Sequence, residues 1–454
     1  MTLGSSHDSE TDHVQNPQSS VLSTPLSLKI MIVAGEASGD KHGATLARAL
    51  QKLAPGFELE IFGSGGEKMR AAGVETLVDA RDVAIIGILE IVGAFGKLYR
   101  AYRKLLDAAR KRRPAVVVLI DWPDFNIRLA RKLHREGFKI VYYISPQVWA
   151  WRGYRVRALR RYVDRMLVIL PFEKEFYKNA GVEVEYVGHP LVETVRADAS
   201  REAFASRNGL DATRPIIALL PGSRYKEVHY HLPAMIDAAL RLRTFRLRIA
   251  DCGLRIEEST HSESQDSAIR NPNPQSAIRN PQSKDPQSKG PQFVIPVATT
   301  IDREQVDAIV GRSDARDELD LAIVERDEYN ALRHSEIAVV ASGTATVEAA
   351  ILGTPMVIVY RGSELNWRLI RPLIKLDTFG MVNLIAGRRI APELMQQDVT
   401  GERIAREVGQ ILGDPSRLAQ MKRDLAIVRE RLESGNGPAS ERAATAVMKL
   451  IADA

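Results

Sequence analysis

Ser342-Gly343-Thr344 is the triplet in this chain best suited to holding an anion. It interrupts an apolar run at 337–341 and supplies an N-cap hydroxyl for a helix predicted over 345–352. Gly353-Thr354-Pro355 stops that helix ahead of another apolar run at 356–360. A helix N-terminus presents free N–H groups and a partial positive charge, and residues this small leave room for a phosphate or pyrophosphate. Glu348, one turn further on, is placed to accept hydrogen bonds from ribose hydroxyls. The same pattern also describes an ordinary capped helix with Glu348 solvated. A second small-residue turn, Gly35-Glu36-Ala37-Ser38-Gly39-Asp40, follows an apolar strand at 28–34 and lacks the GxGxxG dinucleotide fingerprint. A third polar set, Asp121-Trp122-Pro123-Asp124-Phe125-Asn126, follows the strongly β-branched run 116–120.

All three sets stand at predicted strand C-termini, so the scaffold must be one that gathers such ends. Further strands are predicted at 59–62, 140–144, 166–170 and 184–187, with helices between them, which makes a doubly wound parallel sheet. The pattern then restarts with strands at 216–220, 293–297 and 321–324. Gly188-His189-Pro190 and the residues to 195 read as a hinge between two Rossmann-like domains, 28–190 and 191–439. Residues 404–412 and 416–432 are helical, and a last helix over 440–454 is free to pack back on the first domain. Between 256 and 292 lies an imperfect repeat, SAIRNPNPQ then SAIRNPQ, with proline every few residues. Such a segment cannot bury a core and is read as a disordered insertion.

At 454 residues the chain exceeds one compact core. A net charge of +6 suits anionic ligands or a phospholipid surface and is too small to argue for nucleic acid. The lone Cys252 excludes an intrachain disulfide and a cysteine-based zinc cluster, in keeping with a reducing cytoplasm. Residues 1–27 are polar, without a basic start or apolar centre, and read as a disordered leader. The longest apolar span, 83–98, is interrupted by Glu90 and is shorter than the ~20 residues needed to cross a bilayer. Tyr99, Arg100, Tyr102, Arg103 and Lys104 follow it, so it suits either a buried helix with a solvated basic end or a membrane-surface contact.

Taken in order, AGEASGD (34–40), IDWPDFN (120–126), YISPQVWAWR (143–152), LPFEKEF (170–176), Gly188-His189-Pro190, LLPGSR (219–224), ASGTATVE (341–348) and NLIAG (383–387) resemble the lipid-A-disaccharide synthase family. The resemblance runs from residue 28 to the C-terminus, excluding the insertion. At one place the sequence departs: Met381-Val382 precede Asn383 where the family commonly has proline. The resemblance implies a GT-B fold, two Rossmann-like domains facing a cleft. It implies an inverting transfer from UDP-2,3-diacylglucosamine to 2,3-diacylglucosamine 1-phosphate (lipid X), releasing UDP. No cofactor and no bound metal are expected, since helix dipole and basic side chains can neutralise the departing pyrophosphate.

Under that reading Asp121 is the general base, with Asp124 the second choice and a turn-forming role for Asp121 the bland alternative. Gly35, Glu36, Ser38, Gly39 and Asp40 would take the acceptor, the glycines allowing close approach and the carboxylates orienting hydroxyls; capping by Ser38 and Asp40 is compatible with this. Arg224 would contact the UDP pyrophosphate, a surface ion pair with Glu227 being the alternative. Ser342, Gly343 and Thr344 would hold the donor phosphates, Glu348 the ribose and Asn383 the donor sugar or phosphate. His189 reads as structural, and Trp149 and Trp151 as cleft wall. Ile85, Ile86, Ile88, Leu89 and Ile91 would meet acyl chains at the cytoplasmic face of the inner membrane. Oligomerisation is open. The competing functions are another UDP-sugar GT-B enzyme, such as a MurG-like transferase or a UDP-sugar 2-epimerase, and a non-catalytic nucleotide-binding relative.

Overall fold

The run SLKIMIVA forms β1 (Ser27–Ala34), whose last five residues are buried because both faces of its sheet carry helices. The computed structural model describes residues 27–453 other than 84–90, 150–152, 245–289, 314, 365–366, 369–370, 372–376, 434 and 436. After β1 come α1 (Ala37–Leu53), β2 (Glu58–Gly65), α2 (Glu67–Ala71), β3 (Glu75–Asp79), α3 (Ala80–Val83) and α4 (Ile91–Arg112). Then follow β4 (Val116–Ile120), α5 (Pro123–Arg135), β5 (Ile140–Tyr143), α6 (Val156–Tyr162), β6 (Arg165–Val168), α7 (Pro171–Asn179) and β7 (Glu185–Tyr186). These strands make one parallel sheet in the order β3-β2-β1-β4-β5-β6-β7. Alternate residues of β1 and β4 serve the two faces: Ile30, Ile32 and Val118 join one apolar cluster, Met31, Val33 and Leu119 the other.

The chain passes through α8 (Leu191–Thr194) and α9 (Arg201–Arg207) into the second unit. It comprises β8 (Ile216–Leu220), α10 (Tyr225–Leu242), β9 (Gln292–Val297), α11 (Arg303–Val310), α12 (Ala315–Glu318), β10 (Leu321–Glu325) and α13 (Glu328–Arg333). It continues with β11 (Ile337–Ala341), α14 (Thr344–Leu352), β12 (Met356–Tyr360), α15 (Met381–Ala386) and β13 (Glu393–Met395). The sheet order is β10-β9-β8-β11-β12-β13, again parallel. Three helices close the chain, α16 (Gly401–Leu412), α17 (Pro415–Glu433) and α18 (Ala439–Ala452).

The sequence patterning predicts β4, β8, β11 and β12 with their observed bounds. It misses β3 and β13, which are short edge strands opened by Glu75 and Glu393, and charge at an edge hides the apolar signal. α18 lies along α1, burying Ala443, Ala444 and Val447. Glu193 receives the Ser440 N–H and hydroxyl at 2.8 and 2.6 Å, and Arg442 Nε donates to the Val187 carbonyl at 2.8 Å. The expected insertion falls almost wholly outside the described residues, but its last residue, Gln292, is a buried member of β9.

Candidate functional site

In the first sheet β1 and β4 are neighbours whose connections leave to opposite sides, the arrangement that opens a crevice beyond the strand C-termini. The turn 35–40 leaves β1 there and Asp121 leaves β4. Asp121 and Trp122 both sit at positive φ, 45° and 48°, a region that costs an L-residue roughly 1–2 kcal/mol each. Two buried donors hold the turn: Tyr142 Oη reaches the Asp121 carbonyl at 2.6 Å and Asn126 Nδ2 reaches it at 2.8 Å. The Trp122 indole stacks on Phe125, with ring centres 3.9 Å apart.

Gly35 explains how that indole fits. A Cβ on Gly35 would stand 2.1 Å from Trp122 Cδ2, so the missing side chain gives the tryptophan its room. Gly39 faces Ala34 within the fold for a similar reason. Asp40 is buried, and its carboxylate accepts the N–H groups of Gly66, Lys68 and Met69 at 2.6, 3.1 and 3.0 Å, so it caps α2. Glu36 and Ser38 remain exposed beside the crevice.

Burial, and secondarily the charge of Glu36, raises the Asp121 carboxyl to about 6, with a bond from the Trp122 N–H partly offsetting them. A carboxylate poised near neutrality at a crevice suits proton abstraction. Asp124 differs: its carboxylate is exposed and bound by the buried guanidinium of Arg155, so accepting a proton would mean giving up a charge-assisted bond. Nearby, burial raises Glu173 to about 7 although it accepts the Leu170 N–H and the Trp149 Nε1–H, at 3.1 and 3.2 Å. Trp149 packs edge-on against Phe172, while Trp151 lies outside the described residues.

The second sheet has its own crevice between β8 and β11. Gly343 is the N-cap of α14 at φ 153°, a backbone state that favours glycine, and a Cβ there would meet nothing within 4 Å. α14 opens at the exposed Gly343 and Thr344, where helix geometry leaves the first N–H groups without i−4 acceptors, although the Thr346 N–H already donates to the Gly343 carbonyl at 3.1 Å. Ser342 Oγ donates to the Phe379 carbonyl at 3.3 Å. Arg224, on the neighbouring turn after β8, is 77% exposed and pairs with Glu227 at 3.1 Å, a surface contact worth little and readily exchanged.

Glu348 is half-buried. Burial raises its carboxyl, the Lys41 charge opposes that shift, and Tyr329 Oη donates to it at 3.4 Å. Lys41 Nζ, from α1 of the first unit, in turn donates to Tyr329 Oη at 3.4 Å. This chain of contacts joins the start of α1 to α13 and α14 of the second unit. Sequence reasoning overlooked Lys41 and Tyr329; the one available signal was Lys41's position directly after AGEASGD. It also overlooked His231, whose Nδ1 donates to the Pro221 carbonyl and whose Nε2 accepts the Arg361 N–H, both at 2.8 Å. That neutral imidazole ties the turn after β8 to the end of β12.

Asn383 does not project toward a ligand. It is 1% exposed, its Oδ1 accepts from Ile390 and Ala391, and its Nδ2 donates to the Ala391 carbonyl and Glu393, so the amide shapes a turn. His189 is likewise structural: burial, with His42 nearby, depresses it to about 3, and Nδ1 accepts the Leu191 N–H. Ile85, Ile86, Ile88 and Leu89 lie outside the described residues, as does the side chain of Ile91 at the start of α4. Among the described residues no helix is long and apolar enough to cross a membrane.

The sequence matches the family model for lipid-A-disaccharide synthetase over residues 30–256 and 276–449. Among similar proteins, the lipid-A-disaccharide synthase of Koribacter versatilis is 44% identical over 93% of this chain and 98% of the relative. That of Solibacter usitatus is 38% identical over 93% and 97%. Solved structures alike in fold include UDP-GlcNAc 2-epimerase from Neisseria meningitidis bound to UDP-GlcNAc, with TM-score 0.58 and 11% identity over 93% of this chain and 100% of that one. The glycotransferase of kitacinnamycin gives TM-score 0.55 and 13% identity over 93% and 98%. Identities this low speak for the two-domain GT-B fold alone.

Proposed function

The chain belongs to the lipid-A-disaccharide synthetase family, and from that premise we propose that Asp121 is the general base of its glycosyl transfer, working opposite a UDP cradle on α14. The protein is a hexosyltransferase of lipid A disaccharide synthesis. Its substrates are UDP-2,3-diacylglucosamine and lipid X. The acceptor 6-hydroxyl attacks the donor's anomeric carbon in line and a carbon–oxygen bond forms there. The bond from that carbon to the β-phosphate oxygen breaks, its electron pair leaves with UDP, and the hydroxyl proton passes to Asp121. The half-buried Asp121 carboxylate at the β1/β4 crevice, raised toward neutrality, is the observation that carries this reading.

The N-terminus of α14 at Ser342–Thr344 and the exposed guanidinium of Arg224 would take the charge that builds on the departing pyrophosphate. Glu348, held by Lys41 and Tyr329, would meet the ribose. Glu36 and Ser38 would face the acceptor. UDP release from UDP-2,3-diacylglucosamine tests the reading: release should require lipid X and should not respond to soluble sugar acceptors. Release at the same rate without lipid X would overturn it. The epimerase and MurG-like alternatives are not favoured, because the family match spans the chain whereas the epimerase likeness is one of fold.

Segment 83–98, followed by the exposed Tyr99, Arg100, Arg103 and Lys104 of α4, supports a peripheral contact with the inner membrane's cytoplasmic face. Ile85, Ile86 and Ile88 changed together to Ser should abolish sedimentation with anionic liposomes. Unchanged liposome binding by the folded variant would remove this assignment.

A further inference from the structure

We propose that Tyr142 and Asn126 are positioning residues for the transfer: together they clamp the main-chain carbonyl of Asp121 and so set the direction of its carboxylate. The inference rests on the reading of Asp121 as base. Asp121 and Trp122 stand in succession at φ 45° and 48°, so the turn after β4 is one that its side chains alone would not adopt. The Asp121 carbonyl receives Tyr142 Oη at 2.6 Å and Asn126 Nδ2 at 2.8 Å, which occupies both of its lone pairs. Asn126 Nδ2 also donates to the Ile120 carbonyl at 3.2 Å, joining the last residue of β4 to the turn.

Both donors come from rigid places. Tyr142 is fully buried on β5, the strand beside β4, within the apolar cluster that contains Val117 and Leu119. Asn126 is fully buried in the first turn of α5, where its own N–H donates to the Trp122 carbonyl at 2.9 Å. Its Oδ1 has no partner among the described residues. The amide cannot turn over to satisfy that oxygen, since Nδ2 faces two carbonyls. A buried polar side chain that leaves one atom unmet is a poor device for stability, and it stands here at one of the two bonds that hold the proposed base. Strand, helix and turn are thus joined at a single oxygen, and the carboxylate of Asp121 is carried by the residue so held.

The test uses the full-length protein and acceptor-dependent UDP release measured across pH. Tyr142→Phe removes one hydroxyl and keeps the ring; Asn126→Ala removes the other donor. Each should lower kcat about 10- to 100-fold while leaving KM for both substrates within about 2-fold. In each, the acidic limb of the pH–rate profile should move to lower pH as the released carboxylate reaches solvent. Tyr177→Phe is the control. Tyr177 is a buried tyrosine of the same cluster bonded to Ser145 at 2.6 Å, so its loss should lower thermal stability without moving kcat or the limb. If Tyr142→Phe and Asn126→Ala, folded, keep kcat and limb at wild-type values while Asp121→Asn is inactive, the clamp is overturned and the base stands. A fully active Asp121→Asn removes both.

Discussion

At Asp121 two demands on one residue conflict. The crevice buries the carboxyl beside Glu36, and this raises its pKa from the ordinary 3.8 to about 6. Between those values the unfolded chain has released a proton that the native state still holds, so the native state gains stability as pH falls through that window and bears the full penalty above it. At about 1.4 kcal/mol per pKa unit the penalty above pH 6 is up to about 3 kcal/mol. Asp121→Asn should therefore raise the thermal unfolding midpoint at about pH 7.5 and leave it nearly unchanged at about pH 3. With Asp121 as the proposed base, wild-type turnover should rise with pH through about 6, then level off, in a pH–rate profile of kcat/KM. Asp40 makes the opposite case, a carboxylate spent on structure. Asp40→Ala removes three N–H partners from the start of α2 and should cost about 1–3 kcal/mol in urea unfolding.

Elements, more than side-chain partners, were legible in the chain. Apolar runs bounded by glycine and proline marked the central strands and showed that polar sets stood at their C-termini, and so the switch-point positions of 35–40, Asp121, Arg224 and Ser342–Thr344 followed. The edge strands β3 and β13 escaped because they are short and begin with glutamate. What the patterning could not show was which polar atoms the fold would consume. Asp40 and Asn383 have the residue types of ligand contacts and are used up by the main chain, through neighbours 26 and 7 or more positions away. Gly35 has the type of a ligand-approach glycine and gives Trp122 its room. Partners remote in sequence, such as Tyr142 on Asp121 or Tyr329 on Glu348, carry no periodic signal at all.

In the whole molecule the 188–195 connection and the packing of α18 along α1 tie the two units together. The Lys41–Tyr329–Glu348 contacts link α1 to α13 and α14 beside that connection, where α14 also touches α8 and His42 lies near His189. Arg243 and Gly290, on either side of the undescribed residues 245–289, are so close that a Cβ on Gly290 would strike the Arg243 carbonyl. The family match also breaks between residues 256 and 276. Deleting residues 257–275 should leave kcat within about 2-fold and stability within about 1 kcal/mol, since loop length changes closure entropy slowly. The most direct measurement is lipid X-dependent UDP release by Asp121→Asn, alongside donor binding by calorimetry. A loss of at least about 1000-fold in kcat with donor affinity intact is the expected result. Wild-type turnover by that variant would contradict the assignment of Asp121 as the base.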